Sequence, residues 1–459
     1  MLFSSNVFIF RFLIIFLIIY GIVPGKFKNV VILLGSIFFY GAGEPKFVWI
    51  MGGSLLVNYF FAKLLLVRKN WFFAMIPIVT DVCLLGVYKY YNLAANNINH
   101  LFVDDVMPTL DIVLPIGISF YTFQMISFVV DVYRGDIEGP ISLIDTATYI
   151  VMFPQLVAGP ILKYSEVSDR LKDHTKSLKD VDEGFRIFTV GLALKVILAN
   201  DIGTLWNAVQ TAGVVGLSWQ MAWLGAFACS MQLYFDFWGY SVMAMGLGKM
   251  IGFDIPRNFI HPYTSRSISE FWRRWHVTLG RWFKEYVYIP LGGNKHGVLR
   301  TVLNTFVVWA LTGFWHGADW NFILWGLTFF VLISLEKLGL GRLFNKYKFL
   351  GRAFVIFVLP ITWILFSIPN LKTASKYVAC MFGQCGPRVI VGMDQFLGYL
   401  SKYGVLMVAC IILCTPYPAR LFNRYKNRVW MIPVLLIVFV WCAYKLMMGG
   451  NNPFLYYRF

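Results

Sequence analysis

Long apolar runs follow one another from Val7 to Met447 with few polar gaps, and this feature constrains the fold more than any other. A membrane-crossing helix needs roughly 17–25 mostly apolar residues. Hydrophobic residues make up 58% of the 459, which excludes disordered, collagen-like and coiled-coil classes. The sequence therefore predicts an all-α polytopic membrane protein with about 11–12 transmembrane helices, folded as one domain over 1–459. The predicted spans are 7–23, 29–43, 46–66, 71–90, 111–131, 184–200, 219–245, 301–316, 320–335, 353–368, 393–414 and 430–447.

A net charge of +17 would suit a nucleic-acid partner if the basic residues formed one patch, but they follow the membrane topology instead. With both termini outside, the cytoplasmic segments hold about three quarters of the 40 Lys and Arg, as the positive-inside rule requires. No nucleic-acid partner is expected. Short outside loops are predicted at 91–110, 201–218 and 369–392, and the apolar run 149–162 is short enough for a re-entrant or interfacial segment.

The cytoplasmic segment 265–294 contains the string FWRRWHVTLGRWFKEY, which is rich in aromatic and basic residues. A helix over 271–287 would separate these residues onto two arcs, which is typical of a helix at the membrane interface. His276 would lie at the edge of the aromatic arc, either packed and bonded to a carbonyl or part of a reaction site. The basic arc comprises Arg273, Arg274, Arg281 and Lys284.

A second histidine, His316, lies in LTGFWHGADWNFILWG, within a predicted helical hairpin over 301–335. Counted from Arg300 at 1.5 Å per residue, it lies about 24 Å into a hydrocarbon layer of roughly 30 Å. An ionisable side chain at that depth costs free energy unless it faces a cavity or a partner, so it indicates function. The alternative is helix packing around a hydrogen-bonded histidine between Gly313 and Gly317.

Two predicted spans carry polar residues on one helical face. A buried carboxylate must be neutral, paired or hydrogen-bonded, so each stripe alone would serve as a clamp between helices. Together with the two histidines, the stripes predict a polar channel used for a reaction or for transport. No P-loop, metal-hydrolase or zinc spacing is present, and no metal is expected. The stripes are Gln232, Asp236 and Tyr240 in 219–245, and Gln124, Ser127 and Asp131 in 111–131.

The string FWRRWH, followed by WFKEYVYIPLGG and then by GFWHGADW, resembles the membrane-bound O-acyltransferase family, in particular its bacterial alginate O-acetyltransferase branch. Similar motifs extend along the chain as LPIGISFYTFQ, FPQLVAGPI, MQLYFDFWGYS and the ending NPFLYYRF. Two departures are visible: Lys284 and Glu285 stand where the branch often has Arg-Asp, and Val242 stands where Asp is common.

The resemblance implies a funnel-shaped helical bundle in a bacterial plasma membrane, where cytoplasmic acetyl-CoA meets a hydroxyl acceptor from the other side. No permanently bound cofactor is implied, because acetyl-CoA acts as a co-substrate. His316 would match the near-invariant histidine of the family, and His276 its second conserved one. Because acyl transfer to an alcohol needs a base that titrates near pH 7, His316 is the expected general base, and His276 would orient the thioester or stabilise the oxyanion. Arg273, Arg274 and Lys284 would meet the coenzyme A phosphates or, alternatively, lipid headgroups. Further candidate substrate contacts are Trp272, Gln124, Gln232, Tyr234, Asp236, Tyr240 and Trp315.

The resemblance also implies a partner, because the chain offers no exposed carbohydrate platform. In this branch an extracytoplasmic acetyltransferase receives the acetyl group and modifies a secreted polysaccharide. Two alternatives stay open: transfer of D-alanine from a carrier-protein thioester to teichoic acid, and a solute or glycan transporter that consumes no thioester. The spacing of Cys380 and Cys385 permits a disulfide without requiring one.

Overall fold

The computed structural model describes residues 1–102, 106–174, 177–213, 216–386 and 392–449. Over these residues the secondary structure is helical, with an isolated bridge between Phe259 and Trp275 and no strand. The predicted all-α fold is confirmed. The C-terminal motif NPFLYYRF lies outside the described residues.

The α-helices are numbered here in chain order. The first eleven are α1 Leu13–Ile22, α2 Lys28–Gly41, α3 Val48–Val67, α4 Trp71–Leu85, α5 Tyr91–Asn99, α6 Ile118–Arg134, α7 Leu143–Val151, α8 Phe153–Leu156, α9 Tyr164–Lys172, α10 Leu178–Ala193 and α11 Asn200–Ala212. The others are α12 Trp219–Met250, α13 Ile268–Arg274, α14 Val277–Phe283, α15 Gly297–His316, α16 Trp320–Leu335, α17 Gly341–Lys346, α18 Lys348–Ser367, α19 Leu371–Met381, α20 Met393–Leu413, α21 Pro416–Tyr425 and α22 Met431–Met447. Short π-helical segments extend several of them, at Phe8–Phe12, Gly86–Tyr90, Leu194–Ala199, Lys284–Tyr288 and Glu336–Leu340.

Seven helices in the described part of the chain are long and apolar enough to cross a membrane. Their large apolar side chains are widely exposed, and only 11% of the most apolar window of Met393–Leu413 is buried. Apolar helix surfaces of this kind face lipid. The chain is a multi-pass membrane protein. The seven are Pro45–Val67, Trp71–Asn99, Leu178–Ala212, Gly297–His316, Trp320–Lys346, Lys348–Ser367 and Met393–Leu413, and Phe8–Ile22 and Met431–Met447 are shorter apolar helices.

Helices also stand at the other three predicted spans, but their lengths differ from the prediction. The spans at 29–43 and 111–131 are the shorter helices α2 and α6, whereas 219–245 lies within the 32 residues of α12. The prediction of loops at 91–110, 201–218 and 369–392 was wrong over the first part of each segment, where the structure has helices α5, α11 and α19 respectively. In the first two of these loops the helix continues from the preceding span, whereas α19 is a separate helix that begins after a break at Ile368.

The described residues form two compact units. The first comprises Met1–Phe188 and Tyr240–Arg257, and the second comprises Thr189–Gly239 and the described residues from Asn258 onward. Both segments singled out in the sequence, 265–294 and 301–335, belong to the second unit. The prediction of one domain stays a prediction.

The apolar run 149–162 lies at the centre of the first unit. Every residue from 146 to 162 is buried. Phe153 packs against the rings of Phe3, Phe12 and Phe16, and its N–H donates to the Ser36 hydroxyl at 3.0 Å. The helix break at Met152, between α7 and α8, therefore has both an apolar environment and a hydrogen-bond partner.

Candidate active site

The segment around His276 is irregular, and the single helix predicted over 271–287 was wrong. Helix α13 ends at Arg274 and α14 begins at Val277. Between them His276 adopts a left-handed backbone, with φ 46° and ψ 54°, which is uncommon for a residue other than glycine. The break follows from pairing with a segment earlier in the chain, because the Val277 N–H donates to the Asn258 carbonyl at 3.0 Å and the Ile260 N–H donates to the Arg274 carbonyl at 2.9 Å.

The His276 side chain is buried, with 2% of its surface exposed, and has a polar and an apolar neighbour. Its Nδ1 lies 3.1 Å from the side-chain oxygen of Asn258. Its ring lies 4.7 Å from that of Phe237, centroid to centroid. Burial lowers the pKa of His276 to about 3, because an imidazolium loses its hydration in this environment. His276 is therefore neutral at physiological pH.

His316 occupies the opposite kind of position, as the last residue of the regular helix α15. Helices α15 and α16 pack closely through glycines: a Cβ added at Gly326 would lie 2.5 Å from the Trp309 carbonyl oxygen. The His316 side chain is buried among aromatic rings, with centroids 4.9 Å from Trp325 and 5.2 Å from Phe366. The close helix pairing therefore places this histidine inside the second unit.

Trp315 connects the two histidines. Its ring lies 5.9 Å from that of His276 and 4.9 Å from that of His316. Trp315 is itself buried. The structure thus brings together three of the predicted site residues from two segments about 40 positions apart in the sequence.

A cavity of about 650 Å³ opens beside His276 within the second unit. His276 and Trp272 line it, whereas His316 does not. Four basic side chains and one acidic one, Glu285, also line it, so the cavity attracts anions. The basic residues are Arg273, Arg281, Lys284 and Lys337.

Arg274, which the sequence placed with the other basic residues, lies elsewhere. Its guanidinium pairs with the Glu270 carboxylate at 2.5 Å and donates to the Thr264 hydroxyl at 3.0 Å. It does not line the cavity. Its neighbour Arg273 does line the cavity, because consecutive residues of a helix point about 100° apart and the two arginines therefore lie on different sides of α13.

Trp272 joins the cavity to the aromatic cluster around His316. Its ring lies 4.9 Å from Trp309 and 5.5 Å from Trp325. Within the described part of the chain, neither the Trp272 nor the Trp325 indole N–H has a hydrogen-bond acceptor. A buried donor without an acceptor typically costs about 1–3 kcal/mol, so these two N–H groups are candidates for substrate contact.

Two residues of the polar stripe on α12, Gln232 and Asp236, belong to the second unit. The Asp236 carboxylate forms a buried ion pair with Lys195, which the sequence analysis missed. A lysine inside the apolar span 184–200 was the signal that could have found it. Gln232 packs against Gly203.

Tyr234, on the same helix, is fully buried next to the His276 segment. Its ring lies 5.8 Å from both Phe259 and Trp275. The first unit holds the other stripe residues: Gln124 is buried on α6, and Tyr240 stacks on Phe3 at 4.6 Å. The predicted convergence of the stripes into a channel stays a prediction.

Two features were not visible in the sequence, and a third, a disulfide, was left open by it. Asn258 has no motif around it, yet it bonds His276. The buried carboxylate of Glu336 accepts hydrogen bonds from the N–H groups of Ile268 and Ser269 at 2.6 and 2.9 Å, which fixes the start of α13. Cys380 and Cys385 form a disulfide. No group of three or more metal-binding side chains occurs among the described residues.

Comparison with known proteins identifies the family of the chain. The membrane-bound O-acyltransferase family matches residues 136–373, which include both histidines. The chain is 33% identical to the probable alginate O-acetylase AlgI of Pseudomonas putida, over 100% of both chains. It is 31% identical to the peptidoglycan O-acetyltransferase of Helicobacter pylori, over 96% of this chain and 89% of that one. A teichoic acid D-alanyltransferase of Lacticaseibacillus rhamnosus is 29% identical, over 51% of this chain and 61% of its own.

The predicted resemblance and the prediction of an acyltransferase enzyme are therefore confirmed. The matched region contains the buried histidine pair, the basic cavity and the tryptophans between them. The chain belongs to the membrane-bound O-acyltransferase family.

Proposed function

We propose that this enzyme takes an acetyl group from acetyl-CoA on the cytoplasmic side and passes it to a hydroxyl acceptor on the other side, for O-acetylation of a secreted or cell-surface polysaccharide. The observation that carries the proposal is a basic cavity lined by a buried histidine, with the ring of Trp315 between that histidine and a second buried one.

The cavity suits an acyl donor that carries phosphates. Its volume falls within the roughly 300–1,000 Å³ of typical ligand sites. Arg281 and Lys284 can bind the phosphate oxygens of the donor. Trp272 and Leu279 line the cavity with apolar surface, against which the pantetheine arm of acetyl-CoA can pack. A lipid headgroup has the same phosphate chemistry and is the alternative occupant.

The chemistry needs a base, and His316 is the proposed one. As the acceptor oxygen attacks the thioester carbon, His316 takes the hydroxyl proton; the new C–O bond forms, the C–S bond breaks, and the proton passes to the leaving sulfur. A histidine suits this role because its ordinary pKa lies near neutrality. His276, at the cavity, would orient the thioester or stabilise the oxyanion.

The tetrahedral intermediate carries a negative oxygen that needs hydrogen-bond donors. The indole N–H groups of Trp272 and Trp325 fit that need, because both are buried without an acceptor in the described part of the chain. Trp272 lines the cavity, and Trp325 contacts the His316 ring. We assign them to the acyl carbonyl oxygen.

The acceptor lies on the outside in this proposal. Relatives of the chain are named for acetylation of alginate and peptidoglycan, which supports a polysaccharide as the final acceptor. An extracytoplasmic acetyltransferase partner would take the acetyl group from the membrane enzyme and place it on the polymer.

The test is thiol release by the purified protein in liposomes. Acetyl-CoA is supplied on one side and a hydroxyl acceptor on the other, with a D-alanyl carrier protein as the competing donor. Release of coenzyme A that depends on the acceptor supports the proposal. Release from the carrier protein alone favours D-alanyl transfer, and movement of acceptor without thiol release favours a transporter.

The orientation is proposed together with the function. A bacterial plasma membrane with both termini outside would place 163–183 and 336–352 on the cytoplasmic side. Cysteines introduced there should resist an impermeant thiol reagent added outside, while cysteines in 371–386 should react. Reaction of 163–183 from outside would reverse the orientation and the side of the donor.

A further inference from the structure

The hydrogen bonds around Asn258 determine which nitrogen of His276 carries a proton. The backbone N–H of Thr278 can only donate, and it lies 3.2 Å from the Asn258 side-chain oxygen. That atom is therefore the acceptor end of the amide, and the Thr278 hydroxyl contacts it as well, at 3.0 Å. His276 Nδ1 lies 3.1 Å from the same oxygen, so Nδ1 must be the donor.

A neutral imidazole with its proton on Nδ1 has its lone pair on Nε2. Burial keeps the ring neutral, as shown above. In this form Nε2 accepts hydrogen bonds and cannot donate one to an oxyanion. Two roles were considered for His276, orienting the thioester and stabilising the oxyanion. Only the orienting role is compatible with a proton on Nδ1 and none on Nε2.

We propose that Asn258 is a positioning residue that holds His276 in the Nδ1-protonated form, so that His276 orients the acyl donor by accepting a hydrogen bond at Nε2. The group that fits is an amide N–H of the donor's pantetheine arm, since that arm carries the N–H groups nearest to the thioester. This inference rests on the proposed acyl transfer from acetyl-CoA.

The backbone supports the same role. Asn258 pairs with Val277 through its main chain while its side chain bonds His276, so one residue fixes both the left-handed backbone and the ring. A strained backbone at a buried polar residue persists only where the surrounding structure holds it in place. Asn258 supplies that support from 18 residues away in the sequence.

The first experiment compares Asn258→Asp with Asn258→Leu in thiol release from acetyl-CoA. Aspartate keeps an oxygen acceptor, so we expect a rate within about threefold of wild type at pH 8. Leucine removes the acceptor, and we expect kcat to fall about tenfold or more, as for a lost hydrogen bond. Thr278→Val is the matched control, because it removes another donor to the same oxygen and leaves the bond between Asn258 and His276.

The pH profile adds a readout that a structural role would not change. A carboxylate beside Nδ1 stabilises the imidazolium and raises the pKa of His276. Protonation removes the Nε2 lone pair, so the rate of Asn258→Asp should fall on the acid side at a higher pH than the wild-type rate. The charged groups that line the cavity with His276 are Arg273 of α13, Arg281 of α14, Lys284 and Glu285 of the following π segment, and Lys337 after α16. The titratable His316 lies outside the cavity, at the end of α15.

A double-mutant cycle decides whether Asn258 acts through His276. In a His276→Phe background, Asn258→Leu should cause no further loss of rate, because phenylalanine has no Nδ1–H for Asn258 to hold. Equal losses in both backgrounds, or an Asn258→Asp variant as poor as Asn258→Leu at every pH, would overturn the inference. Failure of the wild-type protein to release thiol would instead refute the proposed function.

Discussion

The two histidines of this enzyme are held by contrasting kinds of structure. His316 ends a regular 20-residue helix and is enclosed by aromatic rings. His276 stands in a break between two seven-residue helices and is held by a side-chain amide from a separate segment. Aromatic rings surround the side chain at the helix end, whereas the side chain at the break has a directed hydrogen bond to Asn258. The first arrangement suits a base that must exchange a proton, and the second suits a ring with one fixed tautomer.

The largest effect should come from His316. His316→Gln keeps a similar shape and cannot take up a proton at neutral pH, so we expect thiol release to fall by roughly 10²–10⁴-fold. Binding of acetyl-CoA should persist, because His316 does not line the cavity. Calorimetric titration of the variant with acetyl-CoA is the control for folding. A variant that keeps near-wild-type release would reduce His316 to a packing residue.

The aromatic cluster around His316 gives the next effect. Trp325→Phe removes the indole N–H and keeps a ring, and we expect kcat to fall about tenfold or more. Its thermal stability should hold or rise, because a buried donor without an acceptor disappears. Trp363→Phe is the matched control, since its N–H already donates to the Tyr263 hydroxyl at 3.2 Å. The Trp363→Phe variant should lose thermal stability and keep its kcat. An unchanged kcat in Trp325→Phe would exclude a contact between the Trp325 N–H and the acyl carbonyl oxygen.

The basic residues on the His276 side should act on affinity. Removing two charges, by Arg281→Gln together with Lys284→Gln, should raise the KM for acetyl-CoA about tenfold, with a small change in kcat. Arg274→Gln is the control, because Arg274 pairs with Glu270 outside the cavity. Kinetics at several salt concentrations would show whether the charges act on the donor. A KM that stays constant while activity becomes lipid-dependent would assign these residues to lipid headgroups.

The smallest effect tests the helix pairing that positions His316. Gly326→Ala would place a Cβ against the Trp309 carbonyl, and we expect a loss of about 1–3 kcal/mol in the free energy of unfolding. Gly53→Ala on α3 is the control, because its added Cβ would have no neighbour within 4 Å. Thermal unfolding in one detergent compares the two. Equal stabilities would show that the close approach of α15 and α16 relaxes without cost.

The sequence predicted the parts of this protein that depend on local pattern. The apolar runs at 46–66, 71–90 and 393–414 became long membrane helices, because runs of that length satisfy every backbone group within one helix. A lone histidine near the end of an apolar run marked His316 as buried. The motifs around both histidines placed the chain in its family before any contact was known.

Only the tertiary structure decided the geometry at His276. Helical periodicity relates residues three or four apart. The break after Arg274 instead follows from two long-range hydrogen bonds, from the Val277 N–H to the Asn258 carbonyl and from the Ile260 N–H to the Arg274 carbonyl. The side chain of the same Asn258 fixes the tautomer of His276. Lys195 was conspicuous in its apolar span, but only the fold shows that it pairs with Asp236, 41 residues later in the chain. Such contacts depend on which segments meet in space, and no local pattern in the sequence contains that information.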